Sequence, residues 1–523
     1  MELREGGKLR VKTGCGTCRI RKIRCDEAKP NCKRCVNTGR KCDGYRERKS
    51  ISPEATDTKT RSPLQKSQTL SYTGQPSRPL VLPAFDDDQQ LQLYSYFVNN
   101  TSTVNCLYYR TDFWTYRTLQ LSLSEPAIKY ALCSLSALHN MFRASDGKPT
   151  PSGRTAAEHR SYSLVQYNLA VKHTQKILAE SGEGDANAVI KGLVACVLFI
   201  CFENLIGNFK TAQMHLQNGL KIITRHTSQS GYPKPKNPIV VPEDVIQVLH
   251  RLDLQAMSFG DSREPYPHHL NLSPLHIDTT PPPLFENLDV ATSFLIDTFR
   301  SMFRLASASE PNPIPQISLD AFNIILSNWS TAFDHLLSTL KVPEQSPNSI
   351  ILMKMYHTLL TILVSVRVYG IECRHDMQLH HYQSLVALGT TLLANEETYN
   401  VSVGDDSIFS FEPGVIFALF FTAIKCRHPV VRRQAVGLLA RSRHREGTWE
   451  SIGAAKVATF VIEVEEEGLT DIDKVGAGPE VIQESNRVHL VNIFPVADQR
   501  TIDVGCLKRE NNGWGMRKGT VVY

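Results

Sequence analysis

Six cysteines within 28 residues, Cys15, Cys18, Cys25, Cys32, Cys35 and Cys42, constrain this chain more than any other feature. Their spacing is C-x2-C-x6-C-x6-C-x2-C-x6-C, while the other seven of the 13 cysteines are scattered. Disulfides are the ordinary reading of an even cysteine set, but they need an oxidising compartment. The opening residues MELREGGKLRVKTG carry charge and no apolar block that would send the chain to one. Zinc fits better, because each C-x2-C pair can chelate an ion and the flanking Arg and Lys stabilise thiolates. No histidine precedes His139, so the ligands must all be sulfur. One tetrahedral ion would leave two cysteines idle, and two separate ions would need more ligands than the segment has. Six thiolates serve two ions if two sulfurs bridge. The array is two similar C-x2-C-x6-C halves, and their leading cysteines, Cys15 and Cys32, are the natural bridges.

The same segment carries the positive charge. Residues 1–50 contain 16 Lys plus Arg against 6 Asp plus Glu, a surplus of +10 in a chain whose net charge is +6. The remainder is therefore slightly acidic, and the positive field belongs to one end. A basic end beside a metal cluster points to a polyanion partner rather than to a merely solvated tail or an import signal.

The run Cys15-Gly-Thr-Cys18-Arg19-Ile-Arg21-Lys22-Ile-Arg24-Cys25-Asp26, followed by Pro30-Asn-Cys32-Lys-Arg-Cys35 and Gly39-Arg-Lys-Cys42, resembles the fungal Zn2Cys6 binuclear cluster of Gal4-type transcription factors. The resemblance covers about residues 15–45. It implies two Zn2+ ions bridged by Cys15 and Cys32, with Cys18 and Cys25 completing one site and Cys35 and Cys42 the other. It also implies a short helix after each C-x2-C turn, with Pro30 shaping the loop between the halves. On the first helix Arg19 and Lys22 share one face while Arg21 and Arg24 share another. By the resemblance Lys22 reads base edges in the major groove of double-stranded DNA, commonly in a CGG triplet, with Arg21 beside it. Guanine N7 and O6 are acceptors that suit such cations. Arg19, Arg24, Lys33 and Arg34 then mostly hold phosphates. The implied protein is a nuclear, DNA-binding regulator of RNA polymerase II transcription that engages the transcription machinery.

One finger inspects few base pairs, so a second contact is needed. Residues 46–85 hold Pro53, Pro63, Pro76, Pro79 and Pro83 among Ser, Thr, Gln and Lys, without a sustained heptad. They read as a disordered linker. Whether a homodimer or a partner regulator supplies the second contact therefore stays open.

The expected fold class is mostly α: a Zn2Cys6 finger over 11–45, the linker over 46–85, an all-α regulatory domain over 86–470, and a C-terminal segment, 471–523, with short strands as a small β appendage and Gly505, Gly513 and Gly519 near possible turns. Pro126 opens a helix in which Ile128, Ala131, Leu132, Leu135, Leu138 and Phe142 recur at spacings of three and four. Further helices are expected at 156–180, 185–206, 208–226, 242–258, 286–305, 318–340, 347–370, 380–395, 413–425, 429–442 and 450–467, with proline-rich loops near 227–241 and 261–285. The helix at 185–206 is apolar on nearly all sides and should be central. The longest uninterrupted apolar runs, 193–202 and 414–424, are shorter than a bilayer span requires, so no membrane segment is expected. The segments Leu205-Ile-Gly207, Ala212-Gln-Met-His215 and Gly219, and later Lys425-Cys426-Arg427 to Arg432-Arg433 and Arg445-Glu446-Gly447, are similar to the fungal-specific regulatory region that accompanies this finger.

No metalloprotease helix, nucleophile elbow, phosphate loop or dinucleotide fingerprint is present, so a catalytic residue cannot be named and an enzyme is not expected. Cys373, His375, His380 and His381, like His268 and His269, read as ordinary solvated residues near loops. Cys196 and Cys201 read as small core residues, and Asp86, Asp87 and Asp88 as a helix N-terminal charge cluster. The competing classes are a RING-like zinc module for protein interaction, which would use histidine, and a helical enzyme tethered by the finger.

Overall fold

The computed structural model describes residues 15–21, 23–43, 85–109, 111–182, 184–226, 239–259, 266, 281–309, 314–340, 347–367, 371–403, 408–470, 478–496, 500–510 and 513–523. The chain forms two compact units, Met1–Ser77 and Arg78–Tyr523. In the first, helix α1 (Gly16–Ile20) follows Cys15 and helix α2 (Lys33–Val36) follows Cys32. Its core is sulfur: Cys15, Cys18, Cys32 and Cys35 are buried together, with Cys25 and Cys42 packed against them. Most of the expected linker, 46–84, lies outside the described residues.

The second unit is helical. Its first part holds α3 (Asp88–Tyr96), α4 (Ser102–Val104), α5 (Thr118–Ser122), α6 (Pro126–Ser145), α7 (Ala156–Glu180), α8 (Ala186–Leu205), α9 (Phe209–His226) and α10 (Glu243–Ser258). Start signals read from the sequence sit where they should. Pro126 occupies the first turn of α6, and Asp87 caps α3 by accepting from the Gln90 backbone N–H at 2.6 Å. Thr155 and Glu158 form a reciprocal capping box on α7. Helix α8 is buried on nearly every side and organises one core cluster with α6, α9 and α10. Gly219 lets α9 approach, since a Cβ there would lie 3.3 Å from both Cys196 Sγ and Leu249 Cδ2. Cys201 is buried in this core, and Cys196 packs within it and donates to the His215 carbonyl at 3.0 Å. Burial pushes the Cys196 thiol up to about 12, which makes it inert, as expected.

Helices α11 (Leu288–Ser309), α12 (Gln316–Thr339), α13 (Pro347–Val366), α14 (Leu379–Val403), α15 (Ile416–Lys425), α16 (Pro429–Ser442) and α17 (Ser451–Glu465) build the second cluster. Helices α8 and α13, 20 residues each, are long and apolar enough to cross a bilayer, contrary to the run-length reading; both are mostly buried against other helices.

Two features depart from the expected layout. A three-stranded sheet, β1 (Ile408–Ser410), β2 (His444–Glu446) and β3 (Trp449–Glu450), interrupts the helices. Strand β1 is buried at every position, so it has no alternation to read. Second, the expected C-terminal strands, β4 (Val488–Val496), β5 (Thr501–Glu510) and β6 (Gly513–Val522), form an antiparallel sheet that packs into the helical core. Val488, Ile493, Ile502, Val504 and Cys506 belong to the same cluster as α11–α17. Gly505 and Gly519, expected near turns, lie within paired strands. A side chain at Gly519 would collide with the Phe460 ring of α17, so glycine there is required by close packing.

Buried charges join these parts. Glu412, after β1, accepts from Trp114 Nε1 at 2.5 Å and pairs with Arg251. The Asn105 side-chain Oδ1 accepts from the Phe411 N–H at 2.7 Å, and Phe409 and Phe411 enter the first cluster. The Glu446 carboxylate takes the N–H groups of Gly414, Val415 and Ile416 at 2.8–3.2 Å, which sets the start of α15 at Ile416 rather than at 413. Glu465 holds Arg427 at 2.7 Å, Arg432 at 2.6 Å and the Val488 N–H at 2.8 Å, tying α16, α17 and β4 together. Of the charged residues in the regulatory-region resemblance, Arg427, Arg432 and Glu446 are therefore interior struts, whereas Arg433 is exposed and pairs with Glu466 at 2.6 Å.

Candidate functional site

The two halves of the cysteine segment fold alike. Cys15 Sγ accepts from the Cys18 N–H at 3.4 Å, and Cys32 Sγ accepts from the Cys35 N–H at 3.3 Å. The Cys15 N–H points at Cys25 Sγ at 3.4 Å, and the Cys32 N–H at Cys42 Sγ at 3.5 Å. Such bonds offset negative charge on sulfur. Each half is also pinned by the residue after its third cysteine. Asp26 accepts from the N–H groups of Lys33 and Arg34 at 3.1 and 2.8 Å, capping α2. Asp43 accepts from the Thr17 hydroxyl at 2.7 Å and donates its own N–H to it at 3.0 Å, holding α1. The Ala28 N–H above all, with those of Arg34 and Lys33, keeps the Asp26 carboxyl below its ordinary range against the opposing effect of burial.

Four sulfurs meet at the centre. The Sγ separations are 3.6 Å for Cys15 and Cys32, 3.9 Å for Cys15 and Cys35, 3.7 Å for Cys18 and Cys32, and 3.8 Å for Cys18 and Cys35. A Zn–S bond of about 2.3 Å gives a tetrahedron edge of about 3.8 Å, so this donor set fits zinc. Among the described residues it is the one group of three or more potential ligands that converges in this way. Cys25 lies against Cys18, and Cys42 against Cys15. Burial pushes the Cys15 thiol up to about 12 and raises Cys18 and Cys32 as well. A central divalent cation would reverse that preference, because a coordinating thiol is deprotonated outright.

Around this sulfur core the cations face outward. Arg24, Lys33 and Arg34 are exposed. Arg21 is half-buried, with Nη1 3.4 Å from the Thr38 hydroxyl, which donates to the Arg34 carbonyl at 2.8 Å. Arg19 lies on α1, and Lys22 lies outside the described residues. Thr17, Asp26, Thr38 and Asp43, which support the site, went unassigned from sequence. The repeat of Cys25-Asp26 in Cys42-Asp43 was the available signal.

The other histidine and cysteine candidates do not converge. His375 is buried rather than solvated: Nδ1 lies 2.6 Å from the Tyr382 hydroxyl, and burial holds the ring well below its usual range. The His380 and His381 rings pack against each other, tilted by 40° with centroids 3.8 Å apart, while His268 and His269 lie outside the described residues.

A sulfur-cored finger studded with cations, followed by a helical unit with charged struts, has the makeup of a zinc-cluster transcription factor. Residues 13–52 match the fungal Zn(2)-Cys(6) binuclear cluster domain, and residues 92–262 match the fungal specific transcription factor domain. The chain thus carries both domains and is similar to fungal Zn2Cys6 transcription regulators. It is 24% identical over 539 residues to the aspercryptin biosynthesis cluster-specific transcription regulator atnN of Emericella nidulans, covering 84% of this chain and 85% of that protein. It is 31% identical over 215 residues to the transcription regulator lscL of Purpureocillium lilacinum, covering 40% of this chain and 48% of that one. Over 38 residues it is 60% identical to the transcriptional regulatory protein moc3 of Schizosaccharomyces pombe, 7% of this chain and 8% of the relative. No solved structure matches significantly. The cysteine cluster is thus a zinc-binding element of a DNA-binding transcription factor.

Proposed function

We propose that this chain is a nuclear regulator of RNA polymerase II transcription that binds CGG-type sites in the major groove through a finger holding two zinc ions. The observation that carries the reading is the buried sulfur group at tetrahedral edge spacing inside a shell of outward cations. In this reading residues 11–45 are the DNA-binding domain, 46–85 the linker, 86–470 the helical regulatory domain, and 471–523 its strand-bearing C-terminal segment. Cys15 and Cys32 bridge the ions, Cys18 with Cys25 completes one site, and Cys35 with Cys42 completes the other. Zinc supplies structure, and the protein cations supply recognition. Lys22 reads base edges beside Arg21, whereas Arg19, Arg24, Lys33 and Arg34 hold phosphates. A homodimer or partner regulator extends the site. The likeness to a regulator named for a biosynthesis cluster supports a search for targets among contiguous genes.

Binding titrations on matched and scrambled DNA test the division of labour. Lys22→Ala should flatten sequence preference, and Arg24→Ala should weaken all sequences alike, reducing the salt slope by about one. Equal loss of preference in both variants would refute the assignment. Native mass spectrometry counts the ions directly. A fully active finger carrying a single zinc would favour one tetrahedral site made by Cys15, Cys18, Cys32 and Cys35, whose sulfurs have the spacing for it.

A further inference from the structure

We propose that the outer face of the C-terminal sheet docks an acidic, amphipathic peptide segment. Strand register puts Leu490 opposite Leu507, and Leu507 opposite Met516, so one apolar row crosses all three strands. Trp514 lies two residues from Met516 on the same face, opposite Arg509, and its ring meets His489 edge-on at 4.9 Å. This face points away from α17, because Gly519, on the other face, is the residue that abuts Phe460. The row is open: Leu490 is 49% exposed, Trp514 58% and Met516 40%. Contiguous exposed Trp, Met and Leu mark interaction surfaces in a way that scattered apolar residues do not.

Charge selects the occupant. Arg509 and Lys518 flank the row, exposed, and no ion pair holds either among the described residues. The acid on the same face, Asp503, sits diagonal to Lys518 and six residues along β5 from Arg509, and it already accepts from the Thr520 hydroxyl at 2.6 Å. A second copy docking face to face would bring the same two cations toward each other, whereas carboxylates alternating with apolar side chains would satisfy both elements. The Met516 thioether covers Gly505 and can re-pack around varied side chains.

The test uses the full-length, zinc-loaded protein and two fluorescein-labelled peptides of one length, alternating Leu–Glu and Leu–Lys. Anisotropy should show the acidic peptide binding at least about tenfold more tightly, with a blue shift of tryptophan emission that Trp514→Phe reduces. Arg509→Glu with Lys518→Glu should lower acidic-peptide affinity by on the order of tenfold and leave the melting temperature and DNA binding unchanged. Lys354→Glu, an exposed charge on α13, should change nothing. Equal binding of both peptides, no binding, or indifference to the double charge reversal would overturn the proposal. Concentration-dependent dimers abolished by Met516→Asp would overturn it too, assigning the face to a second copy.

Discussion

The finger and the helical unit reach a defined fold by opposite means. The finger's interior is a knot of thiols, and nearly all its remaining side chains face solvent. The helical unit has two large apolar clusters, and most interior charges among its described residues sit in complementary sets such as Glu465 with Arg427 and Arg432. In the first, the converging sulfurs offer an ion-held core; in the second, order rests on burial, with the charges fixing which helix meets which. A short segment with an outward basic surface has no apolar material to spare, so folding free energy there is metal-binding free energy.

The sharpest way to break this contrast is chelation. Removing zinc from the full chain with EDTA should reduce DNA affinity by more than about a hundredfold while helical ellipticity and the main thermal transition persist. DNA binding that survives chelation would erase the distinction. Next in size is Glu465→Ala, which strands two interior guanidiniums; urea melts should show a loss of about 3–5 kcal/mol with the finger's zinc content unchanged. A loss under about 1 kcal/mol would mean that the struts are incidental.

A smaller effect is a pH slope. Burial disfavours protonated His444, but Glu396 at 3.0 Å and Glu446 at 3.3 Å overcome it and raise the ring from 6.5 to about 10. The folded state therefore binds this proton more tightly than the unfolded one. The resulting stability is present in full below pH 6.5 and is lost as pH rises toward about 10. Melts from pH 6 to 10 should show that decline, and His444→Gln should flatten it. The smallest change is expected for Asp26→Ala. Losing the carboxylate that caps α2 should weaken zinc affinity by on the order of tenfold without removing a ligand, as a competitive chelator titration would show.

Much of this was legible in the sequence because the signals were local. Cysteine spacing depends on nothing distant, and Pro126 announces a helix start from within its own turn. What escaped was non-local. Strand β1 is three residues long and becomes a strand only because β2, more than thirty positions later, lies beside it in parallel. Gly505 and Gly519 resembled turn residues, since nothing nearby in sequence reveals that Met516 and Phe460 fill the space a side chain would take. His375 sat among polar neighbours, and its burial follows from Tyr382 and Phe421 closing over it. In the finger the grouping of the six cysteines was readable, whereas Thr17 and Asp43 acquire their roles only once the second half folds back onto the first.

Phe409, Phe411 and Glu412 have a consequence for biogenesis. The stretch matching the regulatory family model ends at residue 262, yet its interior waits for these three side chains, made roughly 150 residues later. At about 5–20 residues per second a ribosome needs on the order of ten seconds or more to deliver them. During that interval Arg251 has no counter-ion from Glu412, and the nascent amino-terminal half remains an unfinished client for chaperones.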